Sequence, residues 1–127
     1  MIKCIMVADD DKEVREIIGF VLKRSGFEVL VVGNGQQLQQ LLGQRIPDLI
    51  ILDVMMPGED GYTLCRQLRR DPPTQHIPII IMTAHAEGIY QRISGDVGAT
   101  QHITKPFHPL ALAEKVKALL EEKEVRN

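Results

Sequence analysis

Leu49-Ile50-Ile51-Leu52-Asp53 decides the fold: a run of apolar residues that ends on a carboxylate. An unbroken apolar run introduced by Pro47-Asp48 reads as a strand covered on both faces. Ionised side chains are rarely buried alone, so the Asp at the downstream end needs an explanation. The pattern recurs. Ile2-Lys3-Cys4-Ile5-Met6-Val7-Ala8 leads into Asp9-Asp10-Asp11, and Ile77-Pro78-Ile79-Ile80-Ile81-Met82 leads into Thr83. A shorter run, His102-Ile103-Thr104, leads into Lys105-Pro106.

Helical patterns separate these runs. Val14, Ile17, Ile18, Val21 and Leu22 recur with helical spacing between Asp11 and Ser25. Gly26 stands where a glycine commonly closes a helix. A strand over 27–32 follows, then the turn signal Gly33-Asn34-Gly35 and a short helix through Leu38, Leu41 and Leu42 to Gly43. Asp60 is placed to cap a helix that runs to Arg70 and stops before Pro72-Pro73. Residues 86–95 give the weakest helical signal because Gly88 and Gly95 lower the propensity. A strand over 100–104 and a helix over 109–122 complete the pattern. Strand and helix therefore alternate five times, which predicts an α/β domain: a parallel, doubly wound sheet with helices on both faces. Residues 1–127 read as one domain without repeat or linker.

The composition excludes several classes. Fifteen basic and seventeen acidic residues leave a formal charge of −2, and 4 % aromatic content offers few stacking platforms. Neither suits a nucleic-acid surface. No stretch approaches the roughly 18 apolar residues of a membrane span, and Asp9–Asp11 arrive too early for a signal peptide. Cys4 and Cys65 lie in apolar surroundings, as reduced buried thiols do, which suggests the cytoplasm. The four histidines share no metal-ligand spacing, and Gly33-Asn34-Gly35 lacks the last glycine of a dinucleotide fingerprint.

In a parallel sheet the downstream strand ends share one edge. Asp9, Asp10 and Asp53 would meet there as a carboxylate cluster that repels itself. An all-oxygen set of this kind suits Mg²⁺, which in turn works with phosphoryl groups. Thr83 can hydrogen-bond one phosphoryl oxygen and Lys105 can pair with another. The set is what an acyl phosphate on Asp53 requires, with the carboxylate as nucleophile. The bland alternatives are that Asp9–Asp11 only cap a helix, that Asp53 is a loop acid, and that Thr83 and Lys105 are surface residues at strand ends.

Four segments carry a resemblance to the receiver domains of two-component response regulators: Ala8-Asp9-Asp10-Asp11, Leu52-Asp53-Val54-Met55-Met56-Pro57-Gly58-Glu59-Asp60-Gly61, Met82-Thr83-Ala84 and Thr104-Lys105-Pro106-Phe107. All stand in the family's order and spacing. The resemblance implies a flavodoxin-like fold with strand order 2-1-3-4-5. It implies Asp53 as the phosphoacceptor, supplied by a sensor histidine kinase or a phosphotransfer protein. It implies Mg²⁺ held by Asp10, Asp53 and the backbone carbonyl of Met55, with Asp9 acting through water. Thr83 resembles the family's switch hydroxyl, and Lys105 its lysine, often followed by a cis peptide as at Pro106 here. Such a domain catalyses only its own phosphorylation and dephosphorylation. It passes the signal to an effector domain or a separate effector protein, as a monomer or as a phosphorylation-dependent homodimer.

Three departures bear on output. His102 stands where the family most often has Tyr or Phe, so a weaker or pH-dependent coupling to Thr83 is expected. Met55 and His85 flank the pocket, and a bulky Met55 is expected to slow loss of the phosphoryl group. Thr100, Gln101 and Ala111 stand where winged-helix regulators of the family carry acids, which argues against a dimer of that type; the tail Glu121–Asn127 leads into no effector, which reads as a stand-alone receiver or one domain of a longer regulator. A Mg²⁺-dependent phosphohydrolase is the competing reading. It wants a second Asp two residues after the nucleophile, where this chain has Met55.

Overall fold

The computed structural model describes residues 1–85 and 87–126, with the side chains of 123–126 excepted. Strands β1 (Cys4–Ala8), β2 (Glu28–Val32), β3 (Leu49–Asp53), β4 (Ile79–Thr83) and β5 (Gln101–Thr104) alternate with helices α1 (Lys12–Arg24), α2 (Gly35–Leu42), α3 (Gly61–Arg70), α4 (Gly88–Asp96) and α5 (Pro109–Arg126). The strands form one parallel sheet in the order β2-β1-β3-β4-β5. This is the expected doubly wound, flavodoxin-like topology. Its reversal at β1 and β3 opens a crevice at the downstream ends of those strands.

Alternation along each strand divides the core into two layers. Ile5, Val7, Leu49, Ile51, Ile80 and Met82 face α1 and α5, where Ile18, Leu22, Leu112 and Val116 meet them. Met6, Ala8, Ile50, Leu52, Ile79 and Ile81 face the other way, against Leu38, Leu64, Cys65 and Leu68 of α2 and α3. Both faces being covered, β1, β3 and β4 are buried at every position. That explains why their sequences carry no polar alternation.

The capping signals operate as read. The Asp11 carboxylate accepts from the Glu13 and Val14 amides, and that of Asp60 from the Thr63 amide at 2.8 Å. Gly26 follows α1 with φ +96°, a conformation costly for any residue with a Cβ. Asn34 belongs less to a turn than to α2, whose Gln37 amide its side chain caps at 2.8 Å. Several expected boundaries move, most by a single residue. β1 starts at Cys4 rather than Ile2, and β4 at Ile79, after a proline that cannot donate to the ladder. α5 continues past Glu122 to Arg126. The weak helix forms, over Gly88–Asp96; of its expected span, Ala86 lies outside the described residues. Both cysteines are free and buried.

Candidate functional site

The crevice gathers the strand-end residues. Asp9, directly after β1, is 1 % exposed. Its Oδ1 accepts from the Asp11 amide at 2.9 Å, and its main-chain carbonyl accepts from Arg15 Nη1 at 2.9 Å. Asp10 turns outward and is exposed. Asp53 closes β3 and is 4 % exposed. One carboxylate oxygen from each of Asp9, Asp10 and Asp53 lies within 4.8 Å of the others. Lys105, after β5, reaches across the sheet edge: its Nζ donates to Asp9 Oδ2 at 2.8 Å and to Asp53 Oδ1 at 3.1 Å. The Lys105–Pro106 peptide is cis, as expected from the resemblance.

Thr83 is fully buried at the end of β4, and its Oγ1 accepts from the His85 amide at 3.2 Å. The Thr83 carbonyl accepts from the Lys105 amide at 2.7 Å, which ties the two segments together. Behind Asp53 the chain is held by the Val54 amide on the Met82 carbonyl and the Gly61 amide on the Val54 carbonyl, both 3.0 Å. Gly61 is required there, because a Cβ would collide with the Asp53 carbonyl. At the rim the Met55 side chain is 65 % exposed. His85 stacks on Tyr90 with ring centroids 4.4 Å apart.

Burial, reinforced by the charge of Asp9, pushes the Asp53 carboxyl from 3.8 up to about 6, although Lys105 pulls the other way. Burial would lower Lys105, but the hydrogen bonds it donates to Asp9 and Asp53 outweigh it, and the ammonium titrates above its ordinary value. The acids thus exceed the charge that one lysine can neutralise. A hard divalent cation is the complement such an all-oxygen set lacks.

Asp9, Asp10, Asp53 and Lys105 therefore converge, and Thr83 is joined to them through the main-chain bond between its carbonyl and the Lys105 amide. The structure adds Arg15, whose grip on the Asp9 carbonyl fixes the first acidic turn. Its signal in the sequence was faint, a basic residue on the first helix six positions after Asp9. His102 also gains a partner, Ser94 Oγ at 2.8 Å from its Nδ1. Burial lowers the His102 pKa from its ordinary value, against a hydrogen bond to the His85 backbone.

A five-stranded 2-1-3-4-5 sheet with an acid cluster, a threonine and a lysine on its downstream edge defines the class of receiver modules. The family model for the response regulator receiver domain matches residues 5–117, and the chain belongs to that family. It is 43 % identical over 118 residues to the phosphate regulon transcriptional regulatory protein PhoB of Pseudomonas aeruginosa, covering 93 % of this chain and 52 % of the relative. The chain thus spans about half the length of the curated relatives it matches. Among solved structures, it resembles the signal receiver domain of a signal transduction histidine kinase from Syntrophus aciditrophicus. The TM-score is 0.87 at 36 % identity, over 94 % of this chain and 91 % of that one. The BeF3-activated N-terminal receiver domain of Klebsiella pneumoniae RstA superimposes with a TM-score of 0.85 at 32 % identity, over 92 % and 97 % of the two chains. The protein is thus a response regulator receiver domain of two-component signalling.

Proposed function

We propose that Asp53 is the phosphoacceptor of this receiver, charged by a phosphohistidine on a sensor histidine kinase or a phosphotransfer protein. The observation that carries the reading is Lys105 Nζ bridging Asp9 and Asp53, in a pocket where three carboxylates crowd together. An Asp53 carboxylate oxygen attacks phosphorus, the P–N bond to the donor imidazole breaks, and its electron pair returns to the ring nitrogen. Hydrolysis of the acyl phosphate restores the carboxylate, so the domain turns over only its own modification.

Within this reading Lys105 leaves one carboxylate to pair with a phosphoryl oxygen, and the Thr83 hydroxyl gives up the His85 amide to donate to another. Asp10, Asp53 and the Met55 carbonyl would hold Mg²⁺, with Asp9 through water, and the ion would supply positive charge against the phosphoryl oxygens. Arg15 keeps the Asp9 turn in place, and Met55 stands between solvent and the acyl phosphate. Residues 1–127 constitute one receiver domain, whose output goes to an effector domain or a separate effector protein. The regulator of phosphate genes that it resembles favours the first. The domain itself makes no nucleic-acid contact. It acts in the cytoplasm, as a monomer or as a homodimer formed on phosphorylation. No helix among the described residues is long and apolar enough to cross a membrane.

Incubation with acetyl phosphate and Mg²⁺, read by intact mass, tests the proposal. One phosphoryl adduct forms on the unsubstituted chain, and Asp53→Asn or chelation of the metal abolishes it. Turnover of phosphate esters without an adduct would establish the phosphohydrolase instead.

A further inference from the structure

The chain carries five methionines and two cysteines, and the fold sorts their sulfurs by access. Cys4, Met6, Met56, Cys65 and Met82 are all buried, none more than 8 % exposed. Burial also pushes both thiols up, away from the reactive thiolate. Met1 and Met55 are open to solvent. A thioether has no proton to lose before it reacts, so access decides which methionine an oxidant attacks.

The two open methionines stand at opposite ends of the sheet. Met1 precedes β1, on the upstream side. Met55 follows Asp53 by two residues, in the loop that leaves the downstream end of β3. Two residues of chain cannot carry its Cα more than about 7 Å from that of Asp53, a span within reach of a long, flexible side chain. Its neighbours Val54 and Met56 are buried. A change of chemistry at Met55 therefore alters the surroundings of the crevice and leaves the core alone.

We propose that Met55 is an oxidation site through which peroxides shorten the life of the phosphorylated state. The inference rests on the phosphoacceptor reading above and adds a second chemical input beside Asp53. Met55 Sδ takes the terminal oxygen of a hydroperoxide: an S–O bond forms and the O–O bond breaks. The proton on the transferred oxygen passes to the departing one, which leaves as water or an alcohol. The thioether is oxidised to a sulfoxide and the peroxide is reduced. An apolar side chain thereby becomes a polar one with a strong acceptor oxygen, which holds water where the thioether excluded it. The acyl phosphate is then hydrolysed sooner. Sulfoxide reductases reverse the change, so the input can be reset.

Hydrogen peroxide is the probe. The full chain is treated, freed of peroxide, loaded from acetyl phosphate with Mg²⁺ and freed of donor. Intact mass follows the adduct, and peptide mass locates the added oxygen. Oxygen is expected on Met55 and Met1, with Met6, Met56 and Met82 unmodified. The adduct of the oxidised chain decays about two- to tenfold faster, and treatment with methionine sulfoxide reductase restores the original decay. Met55→Leu takes oxygen on Met1 alone and decays at the same rate before and after peroxide. Met55→Gln, polar without sulfur, decays faster than Met55→Leu with no oxidant present. Oxidation of Met55 that leaves the decay unchanged overturns the proposal. An acceleration that persists in Met55→Leu does so too, as does a Met55 oxidised no faster than Met56 and Met82. A chain that takes no adduct before oxidation overturns the phosphoacceptor reading and the proposal together, whereas an adduct with oxidant-blind decay sinks the proposal alone.

Discussion

Asp53 is held where its charge is unwelcome. Its carboxyl titrates near 6 in the fold against 3.8 ordinarily, so the folded state binds the proton more tightly than the unfolded chain. The stability contributed by that proton is full below pH 3.8 and is lost as pH rises through about 6. Asp53→Asn keeps the shape and removes the charge, so it raises stability at pH 7.5 by roughly 1–3 kcal/mol. Without added metal, urea unfolding at pH 5 and pH 7.5 checks this: the unsubstituted domain loses stability toward the higher pH, and the Asn variant loses less. Phosphorylation has the opposite slope, since only the carboxylate is a nucleophile. The rate of adduct formation from acetyl phosphate is therefore expected to climb between pH 5 and pH 7.

At the scale of the element, a strand end is useful only if the helix after it lets the backbone close. The α3 N-terminus packs directly on the Asp53 carbonyl because Gly61 has no side chain. Gly61→Ala must push the loop between β3 and α3 outward, so it is expected to cost about 1–3 kcal/mol and to slow phosphorylation. Gly95, in α4, has nothing within 4 Å of where a Cβ would stand. Gly95→Ala is expected to stabilise by about 0.5–1 kcal/mol through helix propensity alone. Urea midpoints of the two variants, moving in opposite directions, check the pair.

These elements show what was legible along the chain. Apolar runs ending on Asp9, Asp53 and Thr83, caps at Asp11 and Asp60, and the closing Gly26 all signal through local spacing, and all operate as read. Even α4, with its two glycines, forms where its weak periodicity placed it. The contacts of Arg15 and of Ser94 were not legible. A hydrogen bond from α1 to the Asp9 carbonyl, or from α4 to His102, depends on the angle at which a helix lies on the sheet, and no local spacing encodes that angle.

For the whole molecule, the acid cluster makes metal binding a folding matter. A ligand that binds only the native state stabilises it by mass action, by about 2.7 kcal/mol at a hundred times its dissociation constant. Millimolar Mg²⁺ is expected to raise the melting temperature of the unsubstituted domain. Asp10→Asn, exposed and free of packing duties, is expected to abolish that rise while leaving the metal-free melting temperature within a degree or two. Calorimetric scans with and without Mg²⁺ measure both.

The sequence by itself determined the order of elements, the buried parallel strands and the identities of the acids, threonine and lysine at their ends. Those properties follow from hydrophobic runs and capping residues that act over a few positions. Only the tertiary structure decided that Lys105 spans Asp9 and Asp53, that burial holds Asp53 near 6, and that Ser94 meets His102. Each depends on distances between segments far apart in the chain, and on the low-dielectric surroundings that packing creates.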